Sequence, residues 1–171
     1  MDYFAARDWR IMRRVHRWLP PRWFRVWMLA SSRGGDGWLW SLVAVFLGLF
    51  GGGDRAAAFG AGTTSAGVAI AIYSCLKRVV CRRRPCDVEP HRWAALAPPD
   101  RFSFPSGHAM VAFAVTVSLG LFYPIAAAAL VFCALSISAS RVVLGMHFLS
   151  DVLAGSLLGG LLGYGSWIVF R

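Results

Sequence analysis

Three short strings lie near the polar ends of apolar stretches: Lys77-x6-Arg84-Pro85, Pro105-Ser106-Gly107-His108 and Ser140-Arg141-x5-His147-x3-Asp151. They hold the parts that phosphoryl transfer needs: an imidazole able to attack, a carboxylate to orient it, a second imidazole to act as acid, and fixed cations for phosphate oxygens. His147 and Asp151 stand four apart, so on a helix they share one face and their side chains are within reach. A carboxylate there can hold one ring N–H and leave the other nitrogen free to attack. An interfacial His-Asp pair with only a capping role is the plainer alternative.

Pro105-Ser106-Gly107-His108 precedes an apolar segment and reads as a helix N-terminus. Ser106 is the expected cap, and the free amides and positive dipole end of the first turn favour an anion. Gly107 leaves room for a phosphate to approach the backbone, and His108 beside it can donate to a leaving-group oxygen. Lys77 and Arg84, two helical turns apart, can face the same way until Pro85 redirects the chain. Arginine offers a planar fork and lysine a mobile point charge. Arg78, Arg82, Arg83, Arg92 and Arg101 are expected to form a basic interface against lipid headgroups.

The elements that must position these groups are membrane helices. Of the 171 residues, 57% are hydrophobic and 15% charged, with a mean hydropathy of +0.56, more apolar than an ordinary soluble domain. Residues 37–53, 56–76, 102–140 and 152–170 contain no Lys, Arg, Asp or Glu. A bilayer core of about 30 Å takes about 20 helical residues, so 102–140 is divided at the Gly120 to Pro124 turn. Five spans result: 37–53, 56–76, 106–122, 124–140 and 148–170. Lipid demands that backbone hydrogen bonds be satisfied internally and no period of two is present, so the expected fold is all-α, a bundle of five to six transmembrane helices. Gly60, Gly62, Ser65, Gly67, Gly155, Gly159 and Gly163 would let helices approach closely.

Residues 1–33 carry eight arginines among tryptophans and phenylalanine, broken at Pro20-Pro21. They read as a basic amphipathic interfacial segment, distinct from the transmembrane domain of 34–171 and from a signal peptide. The net charge of +10 is assigned to anionic headgroups and phosphate substrates rather than nucleic acid. Four cysteines make no zinc pattern; Cys81 and Cys86 are either free thiols or, on an oxidising face, a disulfide.

In their order and membrane context the three strings resemble the type 2 phosphatidic acid phosphatase (PAP2) superfamily, which also includes vanadium haloperoxidases. The resemblance implies a small membrane lipid phosphatase, with His147 as nucleophile forming a phosphohistidine, Asp151 as its orienting partner and His108 as general acid. It makes Lys77, Arg84 and Arg141 the phosphate-binding cations, aided by Ser106 and Gly107, with no metal and no cofactor. The implied substrates are bilayer lipid phosphates: phosphatidic acid, phosphatidylglycerol phosphate, undecaprenyl pyrophosphate or lipid A phosphates. The rivals are a non-enzymatic lipid-binding or assembly protein and, more remotely, a vanadate-dependent haloperoxidase. Five spans put sixteen Lys or Arg on the face of the three strings and two opposite, which by the positive-inside rule is cytoplasmic. The resemblance implies instead a bacterial inner-membrane protein with a periplasmic site, and that is the orientation expected here.

Overall fold

The computed structural model describes residues 3–89 and 100–171, the side chains of residues 3–5 excepted. Arg92 of the expected basic interface lies outside them. The described residues form eight α-helices: α1 (Tyr3–Arg17), α2 (Arg22–Arg33), α3 (Leu39–Phe50), α4 (Arg55–Val80), α5 (Pro85–Val88), α6 (Gly107–Phe122), α7 (Pro124–Val143) and α8 (Leu149–Phe170). There is no strand among the described residues, only one isolated antiparallel bridge between Arg83 and Phe102. The chain punctuates itself as its sequence dictates. Pro85 and Pro124 open α5 and α7 at positions where a missing N–H costs nothing, and α4 stops at Cys81, whose φ of 51° is left-handed.

Among the described residues three helical segments are long and apolar enough to cross a membrane: Gly52–Val80, Pro124–Val143 and Leu149–Phe170. Gly107–Phe122 is apolar but shorter; its 16 residues span about 24 Å at 1.5 Å per residue. The expected first span divides differently. Its apolar part is the 12-residue α3, which continues α2 through a π-helical turn, Gly34–Trp38, kinked at Gly37 where φ is 122°. The expected boundary near residue 33 therefore falls inside a nearly continuous helical run.

α6 and α8 form the central pair, with α4 against both, α7 on the other side of α6, and α2 along α7. The pair is close because α8 presents glycines to backbone. A Cβ at Gly155 would lie 2.6 Å from the Ser106 carbonyl oxygen, at Gly159 2.1 Å from that of Met110, and at Gly163 2.3 Å from that of Ala114. Real Cβ atoms do not approach so closely, so the packing expected of this stripe is present, and it is backbone packing. Ser166 Oγ donates to the Ala61 carbonyl (2.8 Å) and ties α8 to α4. Large apolar side chains on the outer faces, such as Leu42, Phe46, Leu49, Leu153, Leu157 and Leu161, are exposed, as lipid-facing residues are.

The N-terminal segment is not only a surface layer. Met12 is buried against Ala109, Val142, Phe148 and Val152, and Trp9 meets Phe148 edge to face at 5.0 Å. α1 is thus docked over the loop that joins α7 to α8.

Candidate active site

The ends of α4, α6 and α7 and the connections beside them converge on a cavity of about 490 Å³. Lys77, Arg84, Gly107, His108 and His147 line it, together with Asp36, Asp100, Trp40, Ile70, Tyr73 and Val111. Five of the eight expected site residues therefore share one surface. Ser106, Arg141 and Asp151 are buried behind it.

His147 sits in the turn before α8 and is 1% exposed. Its Nδ1 is 2.6 Å from the Ser103 carbonyl oxygen. A carbonyl only accepts, so Nδ1 carries the proton and Nε2 has a free lone pair. The Arg84 Nη1 group donates to Nε2 at 3.1 Å, consistent with that tautomer. Burial pushes the His147 pKa well below the usual imidazole value; the Arg84, Arg141 and Lys77 charges push the same way, against the Ser103 hydrogen bond. The ring is a neutral base with its lone pair toward the cations.

The expected partnership with Asp151 is corrected in detail. Asp151 Oδ2 is 3.8 Å from Nδ1, beyond hydrogen-bond range, and accepts from the Phe148 N–H at 2.8 Å. Its other oxygen accepts from Arg82 Nη1 at 2.6 Å. In this geometry the carboxylate caps the start of α8 and the Ser103 carbonyl orients the imidazole. Arg82 is corrected too. Rather than meeting headgroups, it bridges Asp151 and Asp8 (2.7 Å) and lies over the Phe148 ring at 4.2 Å. Asp8 also accepts from the Ser150 backbone N–H at 3.2 Å and from its hydroxyl, so α1 buttresses the loop that carries His147.

Lys77 and Arg84 both reach the cavity, though not along one helix, since α4 stops at Cys81 and Arg84 stands in extended backbone before α5. A residue without a local signature joins them. Asp100 accepts from Lys77 Nζ at 2.5 Å and from Arg84 Nη2 at 2.8 Å, while its carbonyl accepts from Arg84 Nε at 2.8 Å. Burial pushes the Asp100 carboxyl up, but the Lys77 and Arg84 hydrogen bonds outweigh it and hold the pKa below the usual range. A carboxylate thus already rests on the two cations expected to take a phosphate. Arg84 is fully buried and also donates to the Met146 carbonyl (2.9 Å).

Arg141 is buried behind the cavity, where Nη1 donates to Ser32 Oγ at 2.6 Å and Nη2 contacts Met146 Sδ at 3.0 Å. Its Nε has no partner, and neither does the hydroxyl of Ser106. Ser106 occupies the N-cap position of α6 but makes no capping bond, against expectation. Buried orphan donors of this kind cost about 1–3 kcal/mol each and persist where a ligand can satisfy them. Gly107 is small for a reason the sequence did not give: a Cβ there would meet the Tyr73 ring at 3.0 Å. The Cys81 and Cys86 thiols are free.

His108, at the first turn of α6, places Nε2 2.6 Å from Asp36 Oδ1. Neither Asp36 nor Asp100 was foreseen. Each is a lone acid in a strongly basic chain, Asp36 enclosed by Gly34-Gly35 and Gly37, and scarcity was the one available signal.

The chain is 33% identical over 96 residues to the lipid A 1-phosphatase of Rhizobium johnstonii and 34% over 89 residues to that of Rhizobium etli. The alignments take 54% and 50% of this chain, and span only 37% and 38% of those relatives. Among solved structures, the transmembrane PAP2 type phosphatidylglycerolphosphate phosphatase from Bacillus subtilis superposes with a TM-score of 0.77 at 24% identity, covering 97% of this chain and 85% of that one. Aquifex aeolicus LpxE gives 0.75 at 24%, covering 92% of each. At that identity the likeness establishes the fold, a multi-pass membrane bundle. The family model described as the PAP2 superfamily matches residues 56–171, from the start of α4 to the last residue. All three strings lie within that match, and this protein is a member of the PAP2 superfamily.

Proposed function

We propose that this protein is a lipid phosphatase that removes a terminal phosphate from a bilayer lipid through a phosphohistidine. The observation that carries the reading is the state of His147: a buried neutral imidazole whose unprotonated Nε2 accepts from Arg84 and faces the Arg84 and Lys77 side of the cavity. Nε2 attacks phosphorus and forms the N–P bond while the bond from phosphorus to the leaving oxygen breaks. His108 gives that oxygen its proton. Neutral His108 then takes a proton from water, whose oxygen attacks the phosphohistidine and releases inorganic phosphate with His147 restored. Lys77 and Arg84, with the unpartnered Arg141 Nε and Ser106 hydroxyl behind them, supply donors to the phosphoryl oxygens and neutralise charge that a magnesium ion holds in other phosphoryl transferases.

Support for a lipid comes from the cavity's other wall. Trp40, Ile70, Tyr73 and Val111 lead from the charged end toward a second, almost wholly apolar hollow of about 110 Å³ that shares Trp40 and is lined by Val43, Leu47, Ala58, Gly62 and Leu119. A headgroup at the cations leaves its tail beside α3 and α4. The names of the relatives favour a glycerophospholipid or lipid A phosphate over a soluble ester.

The test is phosphate release in detergent micelles from phosphatidic acid, phosphatidylglycerol phosphate, a prenyl pyrophosphate and lipid A. Release from at least one is expected, with inhibition by vanadate, a mimic of the five-coordinate transition state, and indifference to EDTA. No release from any, or loss on EDTA restored by a divalent ion, overturns the reading. We place the site on the periplasmic face of a bacterial inner membrane. Four of its basic side chains are engaged locally, Lys77 and Arg84 with Asp100, Arg82 with Asp8 and Asp151, and Arg13 with Glu89, so part of the positive charge on this face is accounted for without a topological role. Impermeant thiol labelling of single-cysteine variants in intact cells, at Cys86 and at a cysteine introduced near Gly52, checks this: labelling near Gly52 with Cys86 protected overturns it.

A further inference from the structure

The turn 34–38 is shaped around one ring of the site. A Cβ at Gly35 would stand 2.9 Å from His108 Cδ2 and 2.9 Å from Ile137 Cγ2, so this backbone can lie against the imidazole only as glycine. Gly37, at φ 122°, is in a conformation that L side chains rarely adopt, and it turns the chain from α2 into α3. Between them Asp36 puts Oδ1 2.6 Å from His108 Nε2. A π-helical turn costs regular hydrogen bonding and recurs at functional sites. Here it lets one carboxylate reach the cavity from an element that carries none of the three strings.

We propose that Asp36 is the positioning residue of the leaving-group acid, fixing the His108 ring and holding its proton for the leaving oxygen. This rests on the reading of His108 given above. The other charged groups around the ring are the cations Arg141 from α7 and Lys77 from α4, with Arg84, the Asp100 carboxylate already paired to Lys77 and Arg84, and neutral His147 on the same cavity. Burial and the cations disfavour a protonated imidazole and a bonded carboxylate favours it, so Asp36, the acid bonded to the ring, is the group that opposes them. With Nε2–H given to Asp36, Nδ1–H of the protonated ring has no acceptor among the described residues and is left for the substrate. In the step itself the bond from phosphorus to oxygen breaks, the electron pair stays on oxygen, and the proton moves from the ring to that oxygen.

An acid matters in proportion to how poor the leaving group is. The experiment measures kcat/KM, which reports phosphoenzyme formation, for decyl phosphate and for p-nitrophenyl phosphate, in wild type, Asp36→Asn, Asp36→Glu and His108→Ala. Decanol leaves as a poor alkoxide and needs protonation, whereas nitrophenolate leaves unaided. For Asp36→Asn the decyl-to-nitrophenyl ratio is expected to fall about tenfold to a hundredfold, for His108→Ala further, within the 10²–10⁴ range of a lost general acid. Asp36→Glu, which keeps the carboxylate, should recover part of it. Because each ratio is internal to one variant, partial misfolding cancels. An unchanged ratio in Asp36→Asn beside a fall in His108→Ala overturns the role of Asp36 alone. An unchanged ratio in His108→Ala overturns the acid role of His108 and this inference with it.

Discussion

The two imidazoles of the cavity are one side chain in two environments. His147 is buried, gives Nδ1–H to a backbone carbonyl and turns Nε2 toward cations, so it is kept neutral with a lone pair to use. His108 has 15% of its side chain exposed and sets Nε2 against a carboxylate, which holds the ring in place at the cavity. Nucleophile and acid are separated by what stands opposite each nitrogen, a carbonyl with guanidinium in one case and Asp36 in the other. The same logic parts two like groups into acid and base elsewhere in enzymology.

The most severe way to break the contrast is His147→Ala, which removes the atom that bonds phosphorus. Loss of more than about 10⁴-fold in kcat is expected, with no trapped phosphoenzyme on acid quench of a ³²P-labelled substrate. Near-normal turnover would show that another group attacks. Next is Arg84→Lys, which keeps the charge but not the planar fork serving Asp100, Met146 and Nε2; a fall of about 10²–10³-fold in kcat/KM is expected, as for a lost preorganised donor. A smaller effect tests the buttress. Asp8→Asn and Arg82→Gln should be non-additive in kcat/KM, with a coupling of about 0.5–3 kcal/mol for side chains in contact, whereas additivity would separate α1 from the site. The mildest measurement is ¹⁵N NMR of labelled histidine. Because burial and cations place the His147 pKa well below the ordinary value of about 6.5, its ring should remain the neutral Nδ1–H tautomer as pH falls through that value. The folded state then binds fewer protons than the unfolded one, so the stability this site contributes above about pH 6.5 is lost at lower pH. Titration of His147 near 6.5 would erase the contrast.

What the sequence disclosed follows from the range of its signals. Lys77 and Arg84, like His147 and Asp151, are close in sequence, so short stretches of chain carry each pair to one place, although α4 stops before Arg84 and α8 starts after His147. The uncharged runs gave the long apolar helices for the same reason, since lipid leaves backbone few alternatives. Asp36, Asp100, Ser103 and Asp8 act across gaps that only the fold closes: Asp36 meets His108 from 72 positions away, and Asp8 meets Arg82 from 74. The expected bond from Asp151 to His147 failed because two stronger claims on that carboxylate, the Phe148 amide and Arg82, take both oxygens. The first apolar helix begins at Leu39 rather than Gly37, and Gly34-Gly35-Asp36-Gly37, which no local signal marks as helical, is a π-helical turn within a helical run.

The glycine stripe of α8 sets which parts of this helix can drift. Gly155, Gly159 and Gly163 meet the backbone of α6, and the first of them abuts the carbonyl of Ser106, whose N–H in turn donates to the Asp151 carbonyl at 3.0 Å. Main chain locks α8 in register with α6, the helix that carries His108, and no side-chain repacking on α6 can make room for a methyl. Leu153, Leu157 and Leu161, each more than half exposed, need only remain apolar. Tolerance to replacement along α8 should therefore rise and fall with a four-residue beat, intolerant at the glycines and permissive two residues away.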